Sequence, residues 1–411
     1  MSSIHAKNDL PLARRAGDGS PSIIGWLLPL WMLSIGFGVL LLRSVGSTRG
    51  NELPADRAIF AAVNAATLTG FSGAGTETLQ PAGRVVILLL TLVGAAFAFI
   101  AGGCLVSRAV GFNYSEGRIA RATLVALALV LLGGTPMFAS TSVGLAEAAQ
   151  LAVGSFANCG IAWGNASAAT SWRAMLILLP LAVLGGLSMP VLLNVLDALR
   201  GRDAIHPYTD VVARTTAGAY LIGTLLIAAI GLASGERGGA AALAAASAVS
   251  IDARSLGMAI APPLVWPAAV AWVAILLMLV GAAPGSAGGG LGVTTIPLLH
   301  AGLRRAFAGE PSGRPFGIAV VWIAIYLAAA LLVTVALVAS APQVPGDRLA
   351  FMAVSALGTV GLSHDPVSVV GAPLHALTLA MLFGRLAPLA VLWWVARGAT
   401  SERITRNRSD V

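Results

Sequence analysis

The chain has 411 residues, 57% of them hydrophobic and only 10% charged, whereas soluble domains carry about 25% charged residues. That balance excludes an ordinary soluble enzyme. The net charge of +8 raises nucleic acid as a partner, but the placement of the basic residues along the chain excludes it.

Windows of roughly 20 residues with almost no charge recur along the chain: Ser22–Leu42, Val85–Val106, Ala120–Ala139, Met175–Leu196, Ala217–Leu232, Pro267–Val280, Phe316–Val338 and Val369–Ala396. Windows of this kind predict a multi-span integral membrane protein. The first, SIIGWLLPLWMLSIGFGVLLL, follows a long polar stretch and lacks a small-residue cleavage site, so it is predicted as a span and not a signal peptide. With eight spans and a cytoplasmic N-terminus, sixteen of the 25 Lys and Arg residues fall on the cytoplasmic side and seven on the other. Arg254 and Arg385 remain at membrane depth. This positive-inside bias predicts a multi-pass protein with both termini in the cytoplasm. Cys104 and Cys159 are the only cysteines and lie in apolar surroundings, so neither a disulfide framework nor a cysteine metal site is expected.

The chain repeats one order of parts four times. Each copy has an apolar span, a short Ala- and Ser-rich segment, a glycine in a small polar cluster, and a second span. The short segments are AIFAAVNAATLTGFSGAG with Gly70, LAEAAQLAVGSFANCGIAWGN with Gly160, GAAALAAASAVSIDARSLGMAI with Gly257, and RLAFMAVSALGTVGLSHDP with Gly361. They are too short to cross a bilayer and too apolar for a surface loop, which predicts re-entrant half-helices. The predicted fold is an all-α integral membrane protein of four fused span–pore-helix–span repeats, with eight transmembrane helices and four re-entrant half-helices around a pseudo-fourfold pore. Its boundaries are an N-terminal tail at 1–21, repeats at 22–110, 111–200, 201–305 and 306–397, and a C-terminal tail at 398–411. Non-helical backbone at membrane depth must line a cavity or be buried in protein. Four such turns on one axis present rings of carbonyls that can replace a cation's water, with the negative ends of the half-helix dipoles aimed inward. Taken singly, each glycine reads equally as a helix C-cap.

In the third copy, VGAAPGSAGGGLGVTT from Val280 to Thr295 interrupts what should be a span, because glycine and proline both disfavour a helix interior. It is predicted to break into an intramembrane loop at 281–290 beneath the filter, the alternative being an aqueous linker. Arg385, in an otherwise uncharged window, is expected to donate to carbonyls of that loop or to snorkel to the headgroups. Asp252 and Arg254 either pair behind the third turn or face an outer vestibule. Asn64, Asn158 and Asn165, with Thr67, Thr69 and Thr359, are expected to hold the turns in shape. His364 and Asp365 suit an outer vestibule, where a carboxylate concentrates cations. His206 and His300 read as ordinary loop residues, and Trp163, Trp172, Trp393 and Trp394 as interface anchors. No Walker motif or recurrent metal-ligand spacing is present, so neither enzyme activity nor a covalently bound cofactor is expected.

These residues resemble the superfamily of bacterial potassium transporters that includes the Trk and Ktr membrane subunits. PGSAGGGLGVTT looks like the family's gate loop, and SALGTVGLS with MLFGRLAPL like its fourth filter and arginine-bearing last helix. NAATLTGFS is similar to the first filter, and SFANCGIAWGN with GGLSMPVLLNVL to the second. The resemblance runs from about Trp26 to Trp394, and eight spans make it nearer the Ktr branch. It implies potassium uptake across the bacterial inner membrane, with sodium as a coupling or activating ion in some members. It also implies a homodimer, surrounded by membrane lipid, on a cytosolic ring of nucleotide-binding regulatory subunits. On this pattern Thr69, Gly70, Asn158, Cys159, Gly160, Leu256, Gly257, Thr359, Val360 and Gly361 form the filter, with K+ held by carbonyls near the four glycines. Gly281, Pro284, Gly285, Ser286, Gly288, Gly289 and Gly290 form the gate, with Arg385 as its latch. The chain departs from the pattern at Gly292, where a basic residue is usual, at RSLGM in place of RTAGF, and at Cys159. A less selective Na+/K+ pathway and a non-transporting scaffold subunit are the alternative readings.

Overall fold

The computed structural model describes residues 23–44, 53–73, 79–140, 144–161, 163, 172–235, 239–260, 266–364 and 367–409. The N-terminal tail, Asn165, Asp365 and the side chain of Trp172 lie outside the described residues. The described residues form helices α1 (Ile23–Arg43), α2 (Ala55–Ala66), α3 (Pro81–Val110), α4 (Glu116–Leu129), α5 (Thr135–Ala139), α6 (Leu145–Ala157), α7 (Trp172–Gly185), α8 (Met189–Leu199), α9 (Pro207–Ala233), α10 (Ala240–Ile251), α11 (Ala268–Val280), α12 (Thr295–Phe307), α13 (Arg314–Ser340), α14 (Gly346–Leu357) and α15 (Ala372–Ser409). A π-helical turn at Val130–Gly134 joins α4 to α5, and another at Asp252–Leu256 extends α10.

Among the described residues, six segments are long and apolar enough to cross a membrane: α1, α3, Glu116–Ala139, α9, α13 and Ala372–Arg397 of α15. Two more apolar stretches are broken. The window from Met175 to Leu196, expected as one continuous span, is two helices that meet at 107°. Gly186, Leu187 and Ser188 interrupt it, and Ser188 restarts the chain as the N-cap of α8, with Pro190 in its first turn. The other break separates α11 from α12, where the glycine-rich segment runs without helix from 281 to 294. α15 continues past 397, where the sequence reading ends the last repeat.

Packing follows one rule four times. α2 lies between α1 and α3, α6 between α5 and α7, α10 between α9 and α11, and α14 between α13 and α15. Each short helix also touches the preceding copy's second span: α6 on α3, α10 on α7, α14 on α11, and α2 on α15. The last contact closes the set into a ring. Backbone approach at these seams is close. A methyl on Gly94 of α3 would stand 2.9 Å from the carbonyl carbon of Ala66, and one on Gly384 of α15 would stand 2.8 Å from that of Leu357.

The short helices are buried while the long ones keep apolar faces outward. α2 buries Phe60 to Ala66, and α14 buries Phe351 to Leu357. On α13, Val321, Leu331 and Leu332 are exposed, as suits hydrocarbon contact. On the arginine-rich side, Arg118 binds Asp197 through two bonds of 2.8 and 2.7 Å and ties α4 to α8. Tyr114 donates to the same carboxylate at 3.1 Å. Burial, and then that bond, push its phenol up to about 12.

Trp31 anchors α1 to the end of α2. Its Nε1 donates to the Ala66 carbonyl at 3.1 Å, and its ring stacks on Phe97 at 4.5 Å. Trp31→Phe keeps the stacking but orphans that buried carbonyl. It is expected to cost about 1–3 kcal/mol, read as a lowered melting temperature of the detergent-solubilised protein.

Candidate functional site

Each of the four short helices ends in a tight turn. In copies one, two and four, the residue two before the glycine takes a left-handed backbone: Leu68 at φ 63°, Asn158 at φ 49° and Thr359 at φ 46°. The next amide then reaches five residues back, from Thr69 to Asn64 at 3.0 Å, Cys159 to Gly154 at 2.8 Å, and Val360 to Ser355 at 2.9 Å. Copy three ends differently. Its π-helical turn spans Asp252–Leu256, and Gly257 itself is left-handed at φ 66°. Gly70 and Gly361 are left-handed at φ 94° and 87°, whereas Gly160 is not left-handed. Gly160 is glycine for space alone.

That space is shared in a circle. A methyl added to Gly70 would stand 2.7 Å from Gly160 Cα, and one on Gly160 would stand 3.0 Å from Met258 N. On Gly257 it would stand 2.6 Å from the Val360 carbonyl carbon, and on Gly361, 2.6 Å from that of Gly70. Four glycines thus hand the contact on from one copy to the next and back to the first. No Cβ fits any of them without moving backbone. Among the described residues no cluster of three or more His, Cys, Asp and Glu residues could hold a metal ion.

The turns are held by different groups. In copy one, Asn64 Oδ1 accepts from Gly70 N and Phe71 N, both at 2.9 Å, and its Nδ2 donates to Phe71 O at 2.8 Å. Thr67 and Thr69 hydroxyls meet at 2.8 Å. In copy three, Asp252 does the corresponding work, accepting from Met258 N at 2.7 Å and Ile260 N at 3.0 Å. Both Asp252 and Arg254 are buried, and no ion pair joins them among the described residues. The expectation of a pair or a vestibule is corrected: the carboxylate serves backbone amides, and the guanidinium packs beside Gly186, where a methyl would stand 3.3 Å from Arg254 Nη2. In copy two, neither the Asn158 nor the Gln150 amide has a hydrogen-bond partner among the described residues. Asn158 contributes through its backbone and not as a side-chain donor.

Directly beneath lies the segment 281–294. It is a folded-back hairpin, with Ala282 N on Gly289 O at 3.0 Å, Leu291 N on Leu279 O at 2.8 Å, and Val293 N on Ala282 O at 3.0 Å. Ser286, Ala287 and Gly288 at its tip are buried, which rules out an aqueous linker. A methyl on Gly289 would stand 2.5 Å from Gly358 O, and one on Gly288 would stand 3.1 Å from Ser255 Cβ. Gly285 sits on Gly102 of α3, with 2.6 Å from such a methyl to the Gly102 oxygen. Two backbone bonds clip the loop to the bend between α7 and α8: Ala283 N to Gly186 O at 3.0 Å and Ala287 N to Gly185 O at 3.2 Å. A methyl on Gly185 would in turn stand 2.7 Å from Asn158 Nδ2, so this elbow touches both loop and second turn. On its other side the loop borders a cavity of about 220 Å3, reached by Trp322, Arg385 and Pro388.

Arg385 is 5% exposed and joins three elements. Its Nε and Nη2 donate to Thr67 O at 2.9 and 2.5 Å, and Nη2 also reaches Ala287 O at 2.6 Å and Thr359 Oγ1 at 3.2 Å. Nη1 reaches Ser286 O at 3.5 Å. Such bonds exclude snorkelling. Gly281, Gly285 and Gly290 carry φ of 66°, 73° and 88°, and Gly292 follows at 90°, next to Pro284 Cγ. The remaining named residues are simpler. Trp163 is 4% exposed, with Arg84 over its ring at 5.7 Å, so it is not an interface anchor. Trp393 and Trp394 are half exposed. His206 N-caps α9 through Nδ1, His300 is exposed, and His364 packs on Phe351 at 4.7 Å.

No family model matches the chain, and no curated protein matches it. Among solved structures, the crystal structure of the potassium transporter TrkH from Vibrio parahaemolyticus superposes with a TM-score of 0.71 at 17% identity, covering 93% of this chain and 86% of that one. This chain shares the fold of that TrkH. It is thus an all-α, multi-pass membrane architecture. The likeness reaches across almost the whole chain.

Sequence reasoning missed three things that the geometry brings forward: the α7–α8 elbow, Gly102 under Gly285, and the Thr67 carbonyl as the main acceptor for Arg385. GGLS at 185–188 was the available signal for the first. Asn64→Leu, of similar shape, removes the three bonds that the Asn64 side chain makes to the first turn and leaves the buried Gly70 and Phe71 amides unserved. The expected loss is about 1–3 kcal/mol for each orphaned group, measured as a lowered unfolding midpoint in detergent.

Proposed function

We propose that this chain carries potassium ions across the bacterial inner membrane through the ring formed at Gly70, Gly160, Gly257 and Gly361, with the glycine-rich loop beneath it as a gate. On this proposal each broken stretch is taken as one crossing, for eight spans with the four short helices re-entrant, and the chain is taken to be nearer Ktr than Trk subunits. The observation that carries this reading is the closed circle of glycine contacts, and on this reading backbone oxygen coats the axis. Carbonyl rings of this kind exchange protein oxygen for a cation's hydration shell. Short helices pointing their C-termini at the ring add negative dipole ends. The similarity to the potassium transporter TrkH supports the same reading.

The loop packs against the inner ends of copies three and four and is held by Arg385, so it obstructs the pathway as it stands. Opening requires the hairpin to move off Gly358 and Thr359, and the 220 Å3 cavity is space into which it can withdraw. Arg385 holds it closed through carbonyl bonds and adds a positive charge on the ion's exit. Coupling to the membrane potential or to sodium, a homodimeric assembly, and docking of cytosolic nucleotide-binding subunits on the arginine-rich side belong to the same proposal. Catalysis does not.

Two substitutions test it by ion flux in proteoliposomes. Gly361→Ser drives a Cβ into the first turn and is expected to abolish K+ flux, while protein yield and monodispersity hold. Arg385→Ala frees the loop from the ring and is expected to raise unstimulated K+ flux several-fold. Flux that sodium supports equally in the unmodified protein would replace potassium selectivity with the less selective pathway. A protein that reconstitutes well and moves neither ion would reduce the chain to a scaffold.

A further inference from the structure

Between α13 and α15 runs an apolar groove of about 580 Å3, within the range of binding pockets for small amphiphiles. Ile318, Val321 and Ile325 form one wall, and Ala390, Val391 and Trp394 the other. Val321, Ile325 and Trp394 are 58%, 48% and 55% exposed, so aliphatic surface is open to the hydrocarbon region along two helices long enough to span it. Arg314 lies at one end of the groove, its guanidinium carbon 5.7 Å from the Trp394 ring centre. Arg397 stands 4.6 Å over the neighbouring Trp393. Arg305 of α12 approaches the same corner, with its Nη1 3.7 Å from a methyl position on Gly313. Glu310 is the sole acid in the connection 308–313, so the corner is basic.

The inner wall of the groove is shared. Ile318, Trp322 and Val391 line both the groove and the cavity under the loop. Trp322 Nε1 donates to Leu291 O at 3.1 Å, at the point where the hairpin returns to α12. Anything seated in the groove therefore presses on the side chain that fixes the end of the loop.

We propose that the groove is a site for an anionic phospholipid, one acyl chain lying along Val321 and Ile325 and the phosphate at Arg314, and that the bound lipid steadies Trp322 on Leu291 and the loop in its closed position. The coupling half of this proposal rests on the gate reading above; the binding half does not. Shape and charge select the occupant. An aliphatic trough with a basic, tryptophan-flanked mouth matches a negative headgroup on a hydrocarbon tail. A second copy of the chain suits it less, because a twofold interface centred here would set Arg314 and Arg397 against their own copies.

The test uses the full-length protein purified in detergent with equal phosphatidylglycerol and phosphatidylcholine, and reads retained lipid by native mass spectrometry. The unmodified protein is expected to keep phosphatidylglycerol about fivefold over phosphatidylcholine, the effect of one basic residue at a membrane surface. Arg314→Gln is expected to bring that ratio near one, and Val321→Trp, which fills the trough, to lose the retained lipid. In proteoliposomes, replacing phosphatidylcholine by phosphatidylglycerol is expected to lower unstimulated K+ flux of the unmodified protein several-fold and leave that of Val321→Trp unchanged. Equal retention in all three proteins overturns the site. Disulfide cross-linking of Val321→Cys between two chains in membranes also overturns it, by giving the groove to a second copy. Selective retention with flux insensitive to the lipid overturns the coupling alone. Selective retention with no K+ flux under any condition leaves the site standing and overturns the transport reading.

Discussion

One guanidinium carries the inner end of this structure. Arg385 sits where an unpaired arginine costs at least about 2.5 kcal/mol, and it is kept there because the backbone around it lacks donors. The first short helix ends at Ala66 and leaves Thr67 O facing inward, and the glycine-rich hairpin leaves Ser286 O and Ala287 O. In hydrocarbon, a carbonyl without a donor costs several kcal/mol, and a charge without a partner costs more still. Putting the two together satisfies both. It also joins copy four to copy one across 318 residues of sequence, which closes the ring of helices at the seam where chain continuity cannot.

The ring is symmetric in outline and asymmetric in chemistry. All four turns approach as backbone on backbone, so all four need a residue without Cβ at the contact. Beyond that, each copy meets its own accounting of buried amides. Asn64 serves the first turn with an amide side chain, Asp252 serves the third with a carboxylate, and Thr359 in the fourth lends its hydroxyl to Arg385. The second turn relies on the left-handed conformation of Asn158 and on contact with the elbow at Gly185. A chain in which four copies are fused can vary them separately, whereas a tetramer of identical subunits must repeat one solution.

The two helix breaks belong together. Where α7 turns through 107°, it exposes Gly185 O and Gly186 O, and the hairpin between α11 and α12 supplies Ala287 N and Ala283 N to them. Each break satisfies the other. The hairpin is therefore ordered, with most of its polar groups met within the protein, and any movement of it must break bonds to the elbow as well as to Arg385.

The sequence by itself determined the membrane character of the chain, because 20-residue apolar windows are a property of composition alone. It marked the four short helices set between longer ones for the same reason: the pattern is local and recurs. It also marked the break at 281–290, since clustered glycine and proline disfavour a helix wherever they stand. The break at Gly186 escaped notice because two glycines within an apolar run are compatible with a continuous span until a neighbour offers donors. Whether Arg385 would face lipid headgroups or carbonyls depended on partners 26 to 318 residues away, and whether Asp252 would meet Arg254 or amides depended on how the chain after its π-helical turn folds back on it. Only the tertiary structure could decide those, because a buried polar group takes its role from whatever unsatisfied atom the packing sets against it.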